Sequence, residues 1–155
     1  MRVPGSVVTI GVLVSCLAIG VAARTESQSD PAQQTTRDGV YTKAQAERGK
    51  ATFTTVCSTC HALDSTTAGL EGPPLGGEMF FTNWADQNVY TLVTQIMLSM
   101  PPDGSVALGP EDTADLIAYI LQANKLPDGQ SDLKADASAR DIKIVAPGSG
   151  GGSGR

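Results

Sequence analysis

The sequence predicts an all-α domain of three to four helices. In three stretches, residues 43–56, 87–99 and 110–122, apolar side chains recur every three or four positions, which is the pattern of a helix that buries one face. The segment from 64 to 78 is dense in Gly, Pro, Ser and Thr and is typical of a loop. At 155 residues, the chain has room for one domain with extensions.

The N-terminal residues 1–23 have the pattern of a secretory leader. A basic residue precedes an apolar run from Val7 to Ala23, which ends in small residues that suit a cleavage site. The run is near the lower limit of about 17 residues for a membrane span, so an uncleaved anchor is a second interpretation. A third is a lipoprotein signal in which Cys16 becomes the lipidated residue. All three predict export, and the polar residues 24–41 are expected to form a flexible spacer.

The first helix is expected from Lys43 to about Val56. Thr42 and Gln45 have the spacing of a capping box at its start. Gly49 is an unusual residue for this helix, because glycine inside a helix lowers its stability by about 1 kcal/mol relative to alanine. Either another element approaches closely at this point or the glycine is a tolerated weak spot.

The sequence Cys57-Ser58-Thr59-Cys60-His61 is a C-x-x-C-H motif, which is typical of covalent c-type haem attachment. Two thiols at this spacing can each add to one vinyl group of a haem, and the next imidazole then faces the iron. A zinc site would need four ligands, yet the other cysteine is Cys16. A thioredoxin-like pair would need a βαβ pattern, which is missing around Cys57. The motif therefore predicts Cys57 and Cys60 as attachment residues and His61 as proximal ligand.

After the motif comes the proline-rich run Gly72-Pro73-Pro74-Leu75-Gly76-Gly77. Proline has a fixed φ and no N–H, so this run is expected to be a rigid strap with carbonyls free to accept hydrogen bonds. A metal-bound imidazole usually donates its second N–H to such an acceptor. Pro73, twelve positions after His61, is the candidate acceptor, although prolines that only shape a turn fit the spacing equally well.

The second long helix is expected from about Gln87 to Ser99, with Asp86 as its N-cap. Trp84 lies just before it, and Met79 is expected in the loop that leads to it. The indole of Trp84 can pack against a haem and donate to a propionate or a backbone acceptor. It fits a plain core position equally well.

Met100 is the best candidate for the distal iron ligand. Because the residue before a proline is pushed out of helical conformation, Met100 is expected at a helix end on extended backbone, where its thioether can face a metal. Met97, one turn earlier, is better explained as core filling. A lone methionine is more often a core residue, so the residues alone leave this assignment open.

The last helix is expected from Pro110, a favourable first helical residue, to about Gln122. Residues 42–127 then form the haem domain. Residues 128–155 are polar, mixed in charge and glycine-rich at the end, and are expected to form an extended, partly disordered tail.

With these residues in place, the region from Thr42 to Pro127 resembles a small single-haem class I cytochrome c. Besides the C-x-x-C-H motif, the resemblance rests on Gly49, Phe53, Gly72-Pro73, Leu75, Met100-Pro101 and Ala118-Tyr119-Ile120. It implies a fold in which the first and last helices cross around one covalently bound haem, with Gly49 against Tyr119. It also implies Met100 as the distal ligand and the Pro73 carbonyl as the acceptor for His61.

The resemblance implies one-electron transfer rather than catalysis. The cofactor would be one haem c whose iron is held by His61 and Met100. The partners would be redox proteins of a periplasmic respiratory chain, with a dehydrogenase or bc-type complex as donor and a terminal oxidase as acceptor. The net charge of −5 argues against a nucleic-acid partner and favours a basic docking surface on the redox partner.

Two other functions remain open. The Met100-Pro101-Pro102 turn and the tail have a weak similarity to cytochromes that serve quinoprotein dehydrogenases, in which residues 128–146 would wrap the enzyme. Alternatively, an open iron position would permit peroxide chemistry or gas sensing. The single histidine of the sequence weighs against peroxide chemistry, because no second histidine is available for acid–base work.

Overall fold

The computed structural model describes residues 33–64 and 71–148. Four α-helices supply most of the regular structure there, as the sequence predicts: α1 (Lys43–Thr52), α2 (Gly77–Trp84), α3 (Val89–Ser99) and α4 (Pro110–Ala123). A π-helix, Phe53–Cys57, continues α1, and a short 3₁₀ helix, Ala137–Asp141, lies near the C-terminus. Strands β1 (Gln34–Thr35) and β2 (Ile142–Lys143) pair in parallel.

The start of α1 follows the sequence prediction. The Thr42 hydroxyl accepts from the backbone N–H of Gln45 at 3.3 Å, and the Gln45 side chain accepts from the N–H of Thr42 at 3.4 Å. This capping box satisfies two backbone donors that the first turn cannot pair internally.

The start of α3 differs from the prediction. Its N-cap is Asn88, whose side chain accepts from the backbone N–H of Thr91 at 3.0 Å. Asp86, the predicted cap, lies two residues earlier at a φ of 67°. Its carboxylate accepts from Lys143 at 2.8 Å instead, because strand β2 passes beside this turn.

Two methionines also lie in unexpected environments. Met79, predicted in a loop, is part of α2, whose first turn places Glu78 at the positive end of the helix. Met97, predicted in the core, is 39% exposed, and Met79 is 42% exposed. Neither side chain is buried in the core that α1, α3 and α4 share.

Helices α1 and α4 pack against each other more extensively than any other pair of described elements. A Cβ at Gly49 would lie 1.9 Å from the carbonyl oxygen of Asp115 and 2.8 Å from the amide nitrogen of Leu116. The glycine therefore marks a close approach of two backbones. The three atoms nearest to such a Cβ are all backbone of α4, and the ring of Tyr119 packs on Phe53 with ring centroids 5.5 Å apart.

A charged pair joins the same two helices. Arg48 Nε donates to Asp115 Oδ2 at 2.6 Å, and its Nη2 donates to Asp115 Oδ1 at 2.8 Å. Asp115 is buried while Arg48 stays half in solvent, so the guanidinium satisfies a carboxylate that would otherwise be desolvated without a partner.

The expected spacer and tail need correction where the structure describes them. Residues 33–41 and 126–146, here called the terminal clasp, pack together: the N–H of Gly129 donates to the carbonyl of Tyr41 at 2.7 Å, and β1 pairs with β2. Apolar side chains anchor the clasp in the core, namely Val40, Tyr41, Leu126, Leu133, Ala139, Ile142 and Ile144. Backbone pairing and burial thus replace the flexibility that polar composition suggested.

Other predictions for the chain ends lie outside the described residues. These are the leader at 1–23, Cys16, the spacer segment 24–32 and the last residues, 149–155. Within 33–64 and 71–148, no helix is both long and apolar enough for a membrane span.

Replacing Gly49 with alanine is expected to destabilise the protein by about 1–3 kcal/mol, because the new methyl group forces α1 away from the α4 backbone. Helix propensity alone would give the opposite sign, a gain of about 1 kcal/mol. Urea unfolding followed by far-UV circular dichroism measures the difference. Lys50→Ala, on the exposed face of α1, is the matched control and should change stability by no more than about 0.5 kcal/mol.

Alkaline pH is expected to weaken the clasp through Tyr41, whose hydroxyl donates to the carbonyl of Leu126 at 2.7 Å. Burial, and then the carboxylate of Asp128, raises the pKa of Tyr41 to about 12. Between its ordinary value of about 10 and this value, the unfolded chain loses the proton while the folded chain keeps it, so the free energy of unfolding falls as pH rises. Below about pH 10 the proton is present in both states, and this group contributes no pH dependence.

Tyr41→Phe should therefore cost about 1 kcal/mol at neutral pH through the lost hydrogen bond and remove much of the alkaline decline. Denaturant unfolding at a series of pH values between 8 and 12 is the measurement. Tyr90→Phe is the control and should keep the decline of the unchanged protein. An alkaline decline that survives in Tyr41→Phe would contradict the assignment to Tyr41.

Candidate haem site

The residues that the sequence predicts for the haem site line one apolar cavity: Cys57, Cys60, His61, Pro73, Trp84 and Met100. The rest of the wall comes mainly from apolar side chains of the strap, α3, the loop after it and α4. Among the described residues, Asn83 and Gln95 are the further polar side chains of the lining. The arrangement suits a large, flat, mostly apolar group.

The π-helix Phe53–Cys57 positions the C-x-x-C-H motif at this cavity. The N–H of Ser58 donates to the carbonyl of Phe53 at 2.9 Å, which is the wide i−5 bond of a π-turn. The N–H groups of Cys60 and His61 then both donate to the carbonyl of Cys57, at 3.1 and 2.8 Å. This tight turn keeps both thiols and the imidazole at the same wall.

His61 contacts the strap through its ring. Nδ1 lies 2.8 Å from the carbonyl oxygen of Pro73, the contact that the resemblance implies. Because a carbonyl can only accept, Nδ1 carries the proton and Nε2 keeps its lone pair for a metal. Such a hydrogen bond fixes the orientation of a ligating imidazole.

Gly72 packs directly against this imidazole, a contact that the sequence pattern does not predict. A Cβ at this position would lie 2.5 Å from Cε1 and 2.7 Å from Nδ1 of His61. Its own N–H donates to the carbonyl of Cys60 at 2.9 Å. The strap thus forms a cradle that a side chain would fill, and the donor set fits a histidine-ligated haem.

Asn124, the C-cap of α4, also connects the strap to that helix. The sequence gives no signal for this second role. The Oδ1 of Asn124 accepts from the N–H of Gly77 at 2.9 Å, and its Nδ2 donates to the carbonyls of Leu75 and Ile120 at 2.9 and 2.8 Å. The side chain is buried, so these bonds satisfy groups that have no access to water. The strap is positioned by α4 as well as by its own prolines.

Among the described residues, Met100 is the methionine that lines the cavity. It follows α3 on extended backbone, with φ −124° and ψ 136°, and its N–H donates to the carbonyl of Ile96 at 3.1 Å. The exposed Met97 and Met79 do not line the cavity.

The chemistry of the thiols also differs from that of a redox dithiol. Cys57 and Cys60 are both free and half-buried. Burial raises the pKa of the Cys57 thiol, whereas reactive redox cysteines have lowered pKa values. Within the described ranges, no group of three or more His, Cys, Asp and Glu side chains could hold a metal ion, so the zinc alternative finds no ligand set there.

Comparisons with known proteins agree with this geometry. Residues 44–120 match the family model of subunit III of the cbb3-type cytochrome c oxidase. A cytochrome c from Chlamydomonas reinhardtii is 29% identical over 97 residues, a match that covers 49% of this chain and 87% of that protein. No solved structure gives a significant match.

The motif, the cavity and the helices define a module that binds haem covalently. Both comparisons support a small class I cytochrome c in residues 44–120, and members of that family are electron carriers. The cofactor of this family is covalently bound haem c with its iron, and the spacing of Cys57 and Cys60 is consistent with it.

Replacing Gly72 with alanine is expected to displace the His61 ring, because the added Cβ would overlap Cε1. In the haem-loaded protein, the variant should show altered visible absorption and a shifted reduction potential, measured by redox titration with mediators. Gly109→Ala is the control, since a Cβ there meets nothing closer than 3.9 Å. Identical spectra and potentials for Gly72→Ala and the unchanged protein would contradict the cradle.

Proposed function

We propose that this protein transfers single electrons through a haem c that is attached to Cys57 and Cys60 and ligated by His61 and Met100. The observation that carries the proposal is that the two thiols, the imidazole and the thioether all line one apolar cavity. When bound, haem c supplies an iron that alternates between Fe(III) and Fe(II). The chain supplies attachment, axial ligands and exclusion of water.

His61 is the proposed proximal ligand. Donation from Nδ1 to the Pro73 carbonyl, supported by the 2.8 Å contact, leaves Nε2 as the metal-binding atom and increases its basicity. The strap holds this carbonyl in place through Asn124. Pro73 is therefore a positioning residue that acts through His61.

Met100 is the proposed distal ligand. Ligation by a thioether together with an imidazole would raise the reduction potential and would leave no open position for small molecules. The extended backbone at Met100 and its place in the cavity wall support this role, and the exposure of Met97 and Met79 removes the nearest competitors.

Trp84 is proposed to face the cofactor with its apolar body and to donate its indole N–H to a propionate or a backbone acceptor. Its side chain lines the cavity. Among residues 33–64 and 71–148, no hydrogen-bond partner of this N–H is present, which leaves the donor available.

The proposed setting is a respiratory chain outside the cytoplasm. The leader pattern at 1–23 supports export to the periplasm, where the protein is either free or tethered through residues 7–23 or Cys16. A dehydrogenase or a bc-type complex would donate the electron. A terminal oxidase is the proposed acceptor, and the matched family model carries the name of an oxidase subunit.

The two alternative functions have less support. The terminal clasp packs on its own domain, so its larger apolar anchors are buried there rather than available to wrap a dehydrogenase, namely Leu133, Ile142 and Ile144. A peroxidase or gas sensor would need an open iron position, and the sequence has one histidine, which the proposal already uses.

Met100→Ala tests the proposal in the exported, haem-loaded protein. The unchanged protein is expected to show a weak sulfur-to-iron band at the red edge of the oxidised spectrum and no response to carbon monoxide when reduced. The variant should lose the band, bind carbon monoxide and have a lower reduction potential, because a ligand position opens.

Met97→Ala is the matched control, since this methionine is exposed and outside the cavity lining. It should behave as the unchanged protein does. Ready carbon monoxide binding by the unchanged protein would contradict Met100 as ligand and favour a sensor or peroxidase. Absence of covalently bound haem would overturn the proposed function as a whole.

A further inference from the structure

The helix that carries Trp84 has little support from other helices. Helix α2 makes no extensive contact with another helix or strand of the described residues, whereas α1, α3 and α4 each do. Phe80 is the one buried residue of α2. The position of α2 therefore depends mainly on the connections at its two ends. Its start is held by Asn124, whose Oδ1 accepts from the N–H of Gly77 at 2.9 Å.

The end of α2 is held by the turn of residues 85–88, which leads to α3. The N–H of Gln87 donates to the carbonyl of Trp84 at 3.2 Å. The side chain of Gln87 donates to the carbonyl of Asn83 at 2.6 Å. Asn83 and Trp84 both line the cavity. Because the turn bonds to both residues, its conformation determines where this part of the cavity wall lies.

The turn is bound on its other side to the C-terminal part of the terminal clasp. Asp86 has a φ of 67°, which residues other than glycine rarely adopt. Its N–H donates to the carbonyl of Ile144 at 2.9 Å, and the N–H of Ile144 donates to the carbonyl of Gln87 at 2.8 Å. Lys143 Nζ donates to Asp86 Oδ1 at 2.8 Å. A strained backbone persists where surrounding contacts determine it, and the clasp supplies such contacts here.

The part of the clasp that holds the turn is itself fixed in the domain. It comprises residues 140–144, here called the bracing segment. The side chain of Ile144 is fully buried in the core. The carbonyl of Lys143 accepts from the N–H of Thr36 at 2.9 Å, so strand β1 bonds to the segment on the side opposite the turn. A segment fixed in this way can impose a conformation on the turn.

We propose that the bracing segment positions Trp84 at the haem by fixing the turn of residues 85–88. The inference rests on the proposed haem binding and gives the C-terminal part of the clasp a role in the site. The segment acts through the turn, because none of residues 140–144 lines the cavity. Trp84 keeps water away from its side of the cavity, and burial is one of the factors that set the reduction potential of a haem. Loss of the brace would admit water and lower the potential.

The experiment depends on Trp84 being the single tryptophan of the sequence. Energy transfer to a haem quenches tryptophan fluorescence and falls steeply with distance, so the fluorescence lifetime reports how far the indole lies from the haem. Ile144→Ala removes the buried side chain that anchors the bracing segment. Leu133→Ala is the matched control, since Leu133 is a buried clasp residue whose backbone bonds to Gln45 of α1 instead.

Both variants should lose a similar amount of stability in urea unfolding, because each removes a large buried side chain from the clasp. In the haem-loaded protein, Ile144→Ala should show a several-fold longer fluorescence lifetime of Trp84 and a lower reduction potential, measured by mediated redox titration. Leu133→Ala should keep both values of the unchanged protein. Values that are equal in the two variants, or that change more in the control, would overturn the inference.

A second variant leaves the core intact. Arg140→Gln with Lys143→Gln removes two contacts of the bracing segment: the guanidinium carbon of Arg140 lies 4.0 Å from the ring centroid of Tyr90 in α3, and Lys143 pairs with Asp86. The lifetime of Trp84 should increase and the potential should fall, by less than in the core variant.

Lys43→Gln with Lys50→Gln is the control for this double variant, because it changes the net charge equally. Both lysines are exposed on α1 and form no ion pair with a described residue. The control should leave the lifetime of Trp84 unchanged. If Ile144→Ala does not fold, equal lifetimes in the two double variants would overturn the inference.

The redox titration separates this inference from the proposed function. A reversible one-electron couple, together with the same Trp84 lifetime in every variant, would overturn the role of the bracing segment and leave electron transfer intact. Absence of such a couple in the unchanged protein, with Trp84 fluorescence that is not quenched, would overturn the proposed function and this inference with it.

Discussion

The close approach of α1 and α4 at Gly49 is the constraint on which the rest of the domain depends. With no side chain between the two backbones, the end of α1 lies beside α4, and the π-helix that continues α1 carries Cys57 to the cavity wall. Leu116 and Ile120 of α4 line the same cavity. The contact that holds the two helices together therefore also determines where the haem motif meets its apolar surroundings.

Through the strap, the packing of α1 and α4 also determines the orientation of the His61 imidazole. The backbone of the strap bonds to the segment after the motif, where the N–H of Leu75 donates to the carbonyl of Ala62 at 2.7 Å. A Cβ at Gly76 would lie 1.7 Å from the carbonyl oxygen of Leu63, so the strap and this segment are in backbone contact. Asn124 adds the connection to α4. A displacement of α4 would therefore change the position of the His61 ring through these hydrogen bonds as well as through packing.

The terminal clasp stabilises the domain away from the cavity. Gln45 donates to the carbonyl of Leu133 at 2.9 Å and accepts from its N–H at 2.7 Å, which ties the start of α1 to the chain that follows α4. The side chain of Arg37 donates to the carbonyl of Ala146. Because these bonds involve no cavity residue, the helix pair is braced by contacts independent of the cofactor.

Local patterns in the sequence determined three of the four described α-helices, the capping box of Thr42 and the haem motif, since each depends on short spacings and on side-chain chemistry. For the His61–Pro73 contact and the Met100 assignment, the residues alone left alternatives open, and the family resemblance favoured these two. Only the tertiary structure decided that Gly49 meets the Asp115 backbone, that Asn88 rather than Asp86 caps α3, and that residues 33–41 pair with the tail. These features join segments up to about a hundred positions apart. Which distant segments pair depends on the surfaces that remain unburied after the helices pack, so a local spacing in the sequence does not predict the pairing.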